Sequence, residues 1–184
     1  MLYLKTVILG SGGVGKSAIT YRYINQSFHE KYDPTIEDHY KKSHDKDTIM
    51  EVIDTAGTEQ FTAMRDLYMK TGNIFILVYT ITSRITFKDI ELLMLSLKRI
   101  IKEENKNDAL IIIIGNKCDL QNEREVSTSE GEAYALKHDC IFYETSAKNN
   151  INIHELFQRI VDEKKAILPK KSDKKSRKCP CVVI

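Results

Sequence analysis

An α/β fold, with helices on both faces of a mostly parallel six-stranded sheet and one antiparallel edge strand, is what this sequence predicts. Three observations lead there. Short apolar runs alternate with helical patterns along the chain, as βα units feeding a parallel sheet do. Several runs are almost continuously apolar, which strands buried on both faces require. One pair breaks the alternation: residues 37–42 and 48–53 are joined only by the polar segment Ser43-His44-Asp45-Lys46-Asp47. That connection is short enough for a hairpin, so one edge strand should run antiparallel.

Taken in order, residues 2–9 read as a strand and 16–25 as a helix. After the hairpin come a helix over 62–70 and an unbroken apolar strand over 74–81. A long helix follows over 85–103, then a strand over 110–114, a helix over 128–137, a strand over 140–143 and a last helix over 153–167. Two helix starts carry capping-box spacing, Ser127 with Glu130 and Asn152 with Glu155; Ile151 and Leu156 are set for an accompanying staple. No internal repeat is present. The 184 residues suit one domain with a full core.

Charge is unevenly spread. Residues 164–184 hold eight basic residues and one acid, Asp173, so this tail is at +7 while the remainder, with 20 basic and 25 acidic residues, is at −5. A nucleic-acid binder would line a folded face with its cations. An acidic body on a basic tail instead suits attachment to an anionic surface. The four cysteines, Cys118, Cys140, Cys179 and Cys181, show neither metal-ligand spacing nor a disulfide framework, which points to a reducing compartment. No signal peptide is expected, and no apolar run reaches the length of a membrane span.

The chemistry begins at Gly10-Ser11-Gly12-Gly13-Val14-Gly15-Lys16-Ser17, which fits the phosphate-binding P-loop. It lies between a strand and a helix, the context the motif needs. Its glycines let backbone N–H groups wrap a phosphate chain, and the helix start adds partial positive charge. Lys16 can reach the terminal phosphates and the Ser17 hydroxyl can ligate Mg²⁺. Asp54-Thr55-Ala56-Gly57 follows the 48–53 strand. There Asp54 can hold a Mg²⁺-bound water, and Gly57 can bring its N–H to a γ-phosphate, although alone the segment reads equally well as a strand-ending turn.

Asn116-Lys117-Cys118-Asp119 follows the next apolar strand but one. A carboxylate at Asp119 can accept from the N1–H and 2-amino group of guanine; adenine lacks both and would leave it unpaired. Asn116 can face N7 and the oxygen side, and the Lys117 stem can lie along the base. In Thr145-Ser146-Ala147-Lys148, the Ala147 N–H can meet the guanine oxygen while Ser146 fixes Asp119. Each four-residue match is weak alone; their placement at consecutive strand ends gives them weight. In the polar loop 28–38, Thr35 has no core role, and its hydroxyl can complete a Mg²⁺ shell while a γ-phosphate holds the loop down. Phe28 suits either the edge of the base or core packing. Phe61, Met64 and Tyr68 are spaced as an inward helical stripe or as a partly exposed patch. The five histidines read as solvated.

With these residues in view, the chain resembles the Ras superfamily of small GTPases over residues 3–168 and into the tail. Tyr32-Asp33-Pro34-Thr35-Ile36-Glu37-Asp38 resembles the Ras/Rap effector loop. Glu30-Lys31, and Asp54-Thr55-Ala56-Gly57-Thr58-Glu59-Gln60-Phe61, resemble the Rap branch. The resemblance implies a monomeric GTP hydrolase and switch with a G domain at 1–168 and a variable tail at 169–184. It implies GTP/GDP and Mg²⁺ as cofactors, with Ser17, Thr35 and Asp54 (through water) at the metal. It implies Gly12, Gly13, Val14, Gly15, Lys16, Ser17, Ala18, Thr35 and Gly57 around the phosphates. Phe28, Asn116, Lys117, Asp119, Ser146, Ala147 and Lys148 would surround the base, and Lys16, Thr35, Gly57 and Thr58 would carry catalysis. Effectors are expected at 32–40, with exchange factors and activating proteins at the mobile segments and at the Phe61-Met64-Tyr68 patch.

Two departures stand out. Most Ras-like proteins carry Gln at the position of Thr58, where it orients the attacking water. Thr lacks that amide carbonyl, so slow intrinsic hydrolysis is expected, with a helper protein supplying the polar group as an Asn does for Rap. The hairpin before Thr48 is also shorter than in Ras and Rap. Two readings from other classes stay open: a GTP-dependent scaffold that does not hydrolyse, kept alive by Thr58, and an ATP-using P-loop kinase, which the two base segments oppose.

The tail closes with Cys181-Val182-Val183-Ile184, a C-a-a-X prenylation box after six basic residues at 170–178. The final Ile is nearer Leu than Ser or Met, pointing to geranylgeranyl. One lipid anchors marginally, and the polybasic run or a palmitoyl group on Cys179 would make the anchor stable. The expected location is the cytoplasmic face of the plasma membrane or endomembranes.

Overall fold

The computed structural model describes residues 1–28, 37–57 and 62–167. Strands and helices alternate as the sequence predicts: β1 (Leu2–Leu9), α1 (Lys16–Asn25), β2 (Glu37–Asp45), β3 (Thr48–Thr55), α2 (Thr62–Thr71), β4 (Ile74–Thr80), α3 (Arg84–Glu103), β5 (Leu110–Asn116), α4 (Thr128–Lys137), β6 (Ile141–Thr145) and α5 (Ile153–Ile167). The sheet order is β2-β3-β1-β4-β5-β6. Neighbouring strands pair parallel except β2 with β3, which is antiparallel.

The unbroken apolar run of β4 explains the layers. Ile74, Ile76 and Val78 enter one core with Ile19 and Tyr23 of α1 and Phe157 and Ile160 of α5. Phe75, Leu77 and Tyr79 enter the other with Met69 of α2, Phe87 and Leu97 of α3, and Ala135 of α4. Successive side chains point to opposite faces, so a strand covered by helices on both sides must be apolar throughout. Each such side chain contributes about 1.5–3 kcal/mol when fully buried.

Two local expectations change. The hairpin turns at Lys46 and Asp47, and Ser43, His44 and Asp45 are strand, with a register shift between Ser43 and Asp45. Their polarity reflects an edge strand instead of a loop. His44 is half-buried and partnered on both ring nitrogens: its Nδ1 faces the Tyr23 hydroxyl and its Nε2 the Gln158 Oε1, each at 3.0 Å. Ser127 and Glu130 do form the capping box of α4. Asn152 does not cap α5; it sits at φ 56° and donates through Nδ2 to the Glu144 carbonyl at 2.7 Å.

Order reversal fixes where a ligand can sit. From β1 the chain runs out to β2 at one edge, returns through β3 and α2, and then builds β4, β5 and β6 on the other side. The crevice outside the carboxyl ends of these strands is the binding edge of such sheets. Thr35 with the rest of 29–36, Thr58 to Phe61, and the tail from 168 with Cys179 and Cys181 lie outside the described residues.

Candidate nucleotide-binding site

The phosphate loop hangs between β1 and α1. Val14 is fully buried and anchors it in the first core, against which Ala18 also packs. Lys16 is almost fully buried, and its Nζ donates to the carbonyls of Gly10 at 2.8 Å and Ser11 at 2.9 Å. Burial lowers the Lys16 pKa to about 8, while the Asp54 charge pulls it back up. Gly15 stands at φ +98°, and a Cβ there would run into the Asn116 amide. The position therefore admits only glycine.

Asp54, at the end of β3, is fully buried. Neither carboxylate oxygen meets a donor in full hydrogen-bond geometry. Burial raises its pKa to about 6, opposed by the nearby Ser17 hydroxyl and Lys16 charge and reinforced by Asp38, its cross-strand partner on β2. A buried carboxylate whose nearest help is one hydroxyl and a lysine charge is costly unless something further occupies the site. A hard cation fits that need. Among the described residues no cluster of three His, Cys, Asp or Glu side chains surrounds a metal. Magnesium at phosphate sites takes one or two protein oxygens and fills the rest of its shell with water and phosphate, so Asp54 and Ser17 suffice. Gly57 lies directly on the loop, where a Cβ would strike the backbone of Gly12 and Ser11.

The base side is built from β5 and β6. Asn116 is buried; its Nδ2 donates to the Val14 carbonyl at 2.8 Å and its Oδ1 accepts from Thr145 Oγ1 at 3.1 Å. The residue read as a base contact is thus first a strut between the phosphate loop and β6, with a second N–H on the same amide. Lys117 adopts φ 63°, which turns the chain after β5, and the Cys118 N–H donates to the Thr145 carbonyl at 3.0 Å. Lys117 and Asp119 are half-buried beside it. Ser146 is fully buried, and its hydroxyl accepts from the Asn149 N–H at 3.0 Å. No bond from Ser146 to Asp119 forms; the hydroxyl closes its own turn. Ser146 and Ile151 exchange both backbone bonds, making a small closed loop that presents Ala147 and Lys148. Phe28 is half-buried at the margin of the first core. On α2, Met64 is 39% and Leu67 55% exposed, while Tyr68 packs partly against the second core. The exposed patch is therefore Met64 with Leu67, and Leu67 lay outside the predicted stripe.

Two further contacts have no counterpart in any motif. Ser11 Oγ donates to Asp89 Oδ2 at 2.6 Å, tying the phosphate loop to α3. Arg22, on the last turn of α1, donates to the carbonyls of Ala147 and Lys148, more than a hundred residues away. Arg22 is met by backbone carbonyls, which carry no sequence signature, and Ser11 and Asp89 lie 78 residues apart, so neither contact could be read from spacing.

A glycine loop on a buried lysine, a buried aspartate beneath it and two further loops at consecutive strand ends define a P-loop nucleotide-binding domain of the α/β class. The Ras family model matches residues 5–166. The chain belongs to the Ras family of small GTPases. Members bind GTP and GDP with Mg²⁺, are typically GTP hydrolases, and engage effectors, exchange factors and activating proteins.

Proposed function

We propose that this chain is a lipid-anchored GTP/GDP switch of Rap type, with slow intrinsic hydrolysis that an activating protein accelerates. The observation that carries the reading is the contact of Gly57 with Gly12. The end of β3 rests on the phosphate loop without room for a methyl group, so a γ-phosphate entering there acts directly on the segment that follows. Lys16, held by the Gly10 and Ser11 carbonyls, would meet the β- and γ-phosphates. Ser17, Thr35 and Asp54 (through water) hold Mg²⁺, which when bound neutralises charge developing on the transferred phosphoryl group. Asp119, Asn116, Lys117 and the Ser146-Ala147-Lys148 loop select guanine, with Phe28 alongside.

In this reading residues 1–168 are the G domain, and effectors read 32–40, of which the described residues 37–40 lie on β2 at the sheet edge. Exchange factors and activating proteins grip the 29–36 and 57–68 segments, including Met64 and Leu67. The 169–184 tail, prenylated at Cys181 with Cys179 open to palmitoylation, holds the protein on the cytoplasmic side of a membrane. No described helix is long and apolar enough to cross one.

Single-turnover GTP hydrolysis, alone and with Rap-type or Ras-type activating proteins, tests the reading. Slow release that only the Rap-type protein accelerates is expected, and Thr58→Gln should raise the intrinsic rate. A rate unmoved by Thr58→Ala, with and without activator, removes any role for that side chain. No phosphate release under any condition favours a GTP-dependent scaffold.

A further inference from the structure

The segment that faces the base is held from outside by one side chain. Arg22 Nε donates to the Ala147 carbonyl at 2.8 Å, Nη2 to the Lys148 carbonyl at 2.8 Å and Nη1 to the Gln26 carbonyl at 3.1 Å. Its Cζ stands 5.8 Å from the centroid of the Phe28 ring. The Arg22 carbonyl in turn accepts from the Gln26 N–H at 3.0 Å, which fixes the end of α1 on which the guanidinium stands. A planar fork of donors is the side chain able to serve three carbonyls and an aromatic face at once.

The consequence falls on Ala147. Its N–H belongs to the peptide plane whose carbonyl is that of Ser146, and this carbonyl accepts from the Ile151 N–H at 2.9 Å. Its own carbonyl, in the following plane, accepts from Arg22. Both planes flanking the Ala147 Cα are therefore held, so the direction of its N–H is set before a base arrives. A donor held in place costs little to order on binding.

We propose that Arg22 is a positioning residue for guanine recognition: it aims the Ala147 N–H at the 6-oxygen of the base and keeps Phe28 beside it. This rests on the guanine-nucleotide reading above. Lysine at this place can serve one carbonyl as a point charge; glutamine is shorter and uncharged.

The test uses the full-length chain loaded with Mg²⁺ and either GDP or the diphosphate of 2-aminopurine riboside, which lacks the 6-oxygen, with ADP as a control. Dissociation rates are measured for wild type, Arg22→Lys and Arg22→Gln, with melting temperatures taken alongside. Loss of charge-assisted bonds to two carbonyls should speed GDP release roughly 10- to 100-fold in Arg22→Gln, with Arg22→Lys in between. For the analogue without the 6-oxygen the acceleration should fall to about threefold or less, because the coupling partner is absent. Equal acceleration of both nucleotides marks general loosening of the loop and overturns the proposal. Unchanged GDP release in both variants overturns it and leaves the guanine reading standing. Wild-type protein that holds ADP as tightly as GDP overturns both.

Discussion

Asp54 shows at the scale of one residue how stability is traded for a ligand. Its pKa of about 6 in the fold stands above the ordinary 3.8, so between those values the native chain holds a proton that the unfolded chain has lost. Stability from this group is therefore present at low pH, falls as pH rises through about 4 to 6, and stays lower above. Asp54→Asn should raise the unfolding free energy of the nucleotide-free protein by about 1–3 kcal/mol at pH 7.5, with little gain near pH 4, while weakening Mg²⁺-dependent nucleotide retention. Denaturant unfolding at the two pH values checks this; an equal gain at both, or a loss at pH 7.5, contradicts it. Asp54 was legible in the sequence because phosphate chemistry demands a carboxylate at a strand end beside the loop. The roles of Asn116 and Ser146 were legible only by type. Their partners, the Val14 carbonyl and the Asn149 N–H, are backbone groups that any residue could supply.

At the scale of elements, the sequence pattern located the six strands and the helices α1–α5 of the described residues but not the 3-10 turn Gln121–Glu123, and what it misjudged was polar. β2 continues through Ser43, His44 and Asp45 because an edge strand needs only one apolar face and this one meets water on its free side. Asn152 has the spacing of a cap yet adopts a left-handed backbone, since its amide is used to hold the exit of the base-side loop. Ser127 does cap. Its Oγ accepts from the Glu130 N–H, and the Glu130 carboxylate accepts from the Ser127 N–H at 2.9 Å and from Arg84 Nη1 at 2.7 Å. Bonds from Arg84 and Ser127 pull the exposed Glu130 pKa down to about 2, outweighing a smaller opposing effect of desolvation. Ser127→Ala should cost about 1 kcal/mol. A lowered denaturation midpoint with unchanged nucleotide release is the expected pair of results, because α4 packs on β5 and β6 and carries none of the residues proposed to hold the nucleotide. Faster release would mean that the cap also supports the site.

For the whole molecule, the alternation of elements was enough to predict a parallel sheet covered on both faces, but not its strand order. Order is set by which edge each crossover helix packs toward, and that depends on three-dimensional matching of the two cores. The order in turn brings residues 10–17, 54–57, 116–119 and 145–148 to one edge, where three weak motifs join the phosphate loop. The same reasoning separates that site from the anchor proposed at the tail. The family match ends at residue 166, and residues 167–184, with six basic residues and one acid, carry +5 against −3 for residues 1–166. A single prenyl chain holds a protein at a membrane only marginally, and each nearby cation adds about 1 kcal/mol at an anionic surface. Cys181→Ser should therefore move the protein from the membrane to the soluble fraction of cells. Replacing Lys170, Lys171, Lys174 and Lys175 by Gln should weaken attachment in a manner restored by lowering the salt. Neither change should alter single-turnover hydrolysis or GDP release, since none of the residues proposed for the nucleotide site lies in that segment. Retention of Cys181→Ser at the membrane would remove prenylation as the anchor and leave the basic run, or Cys179, to account for it.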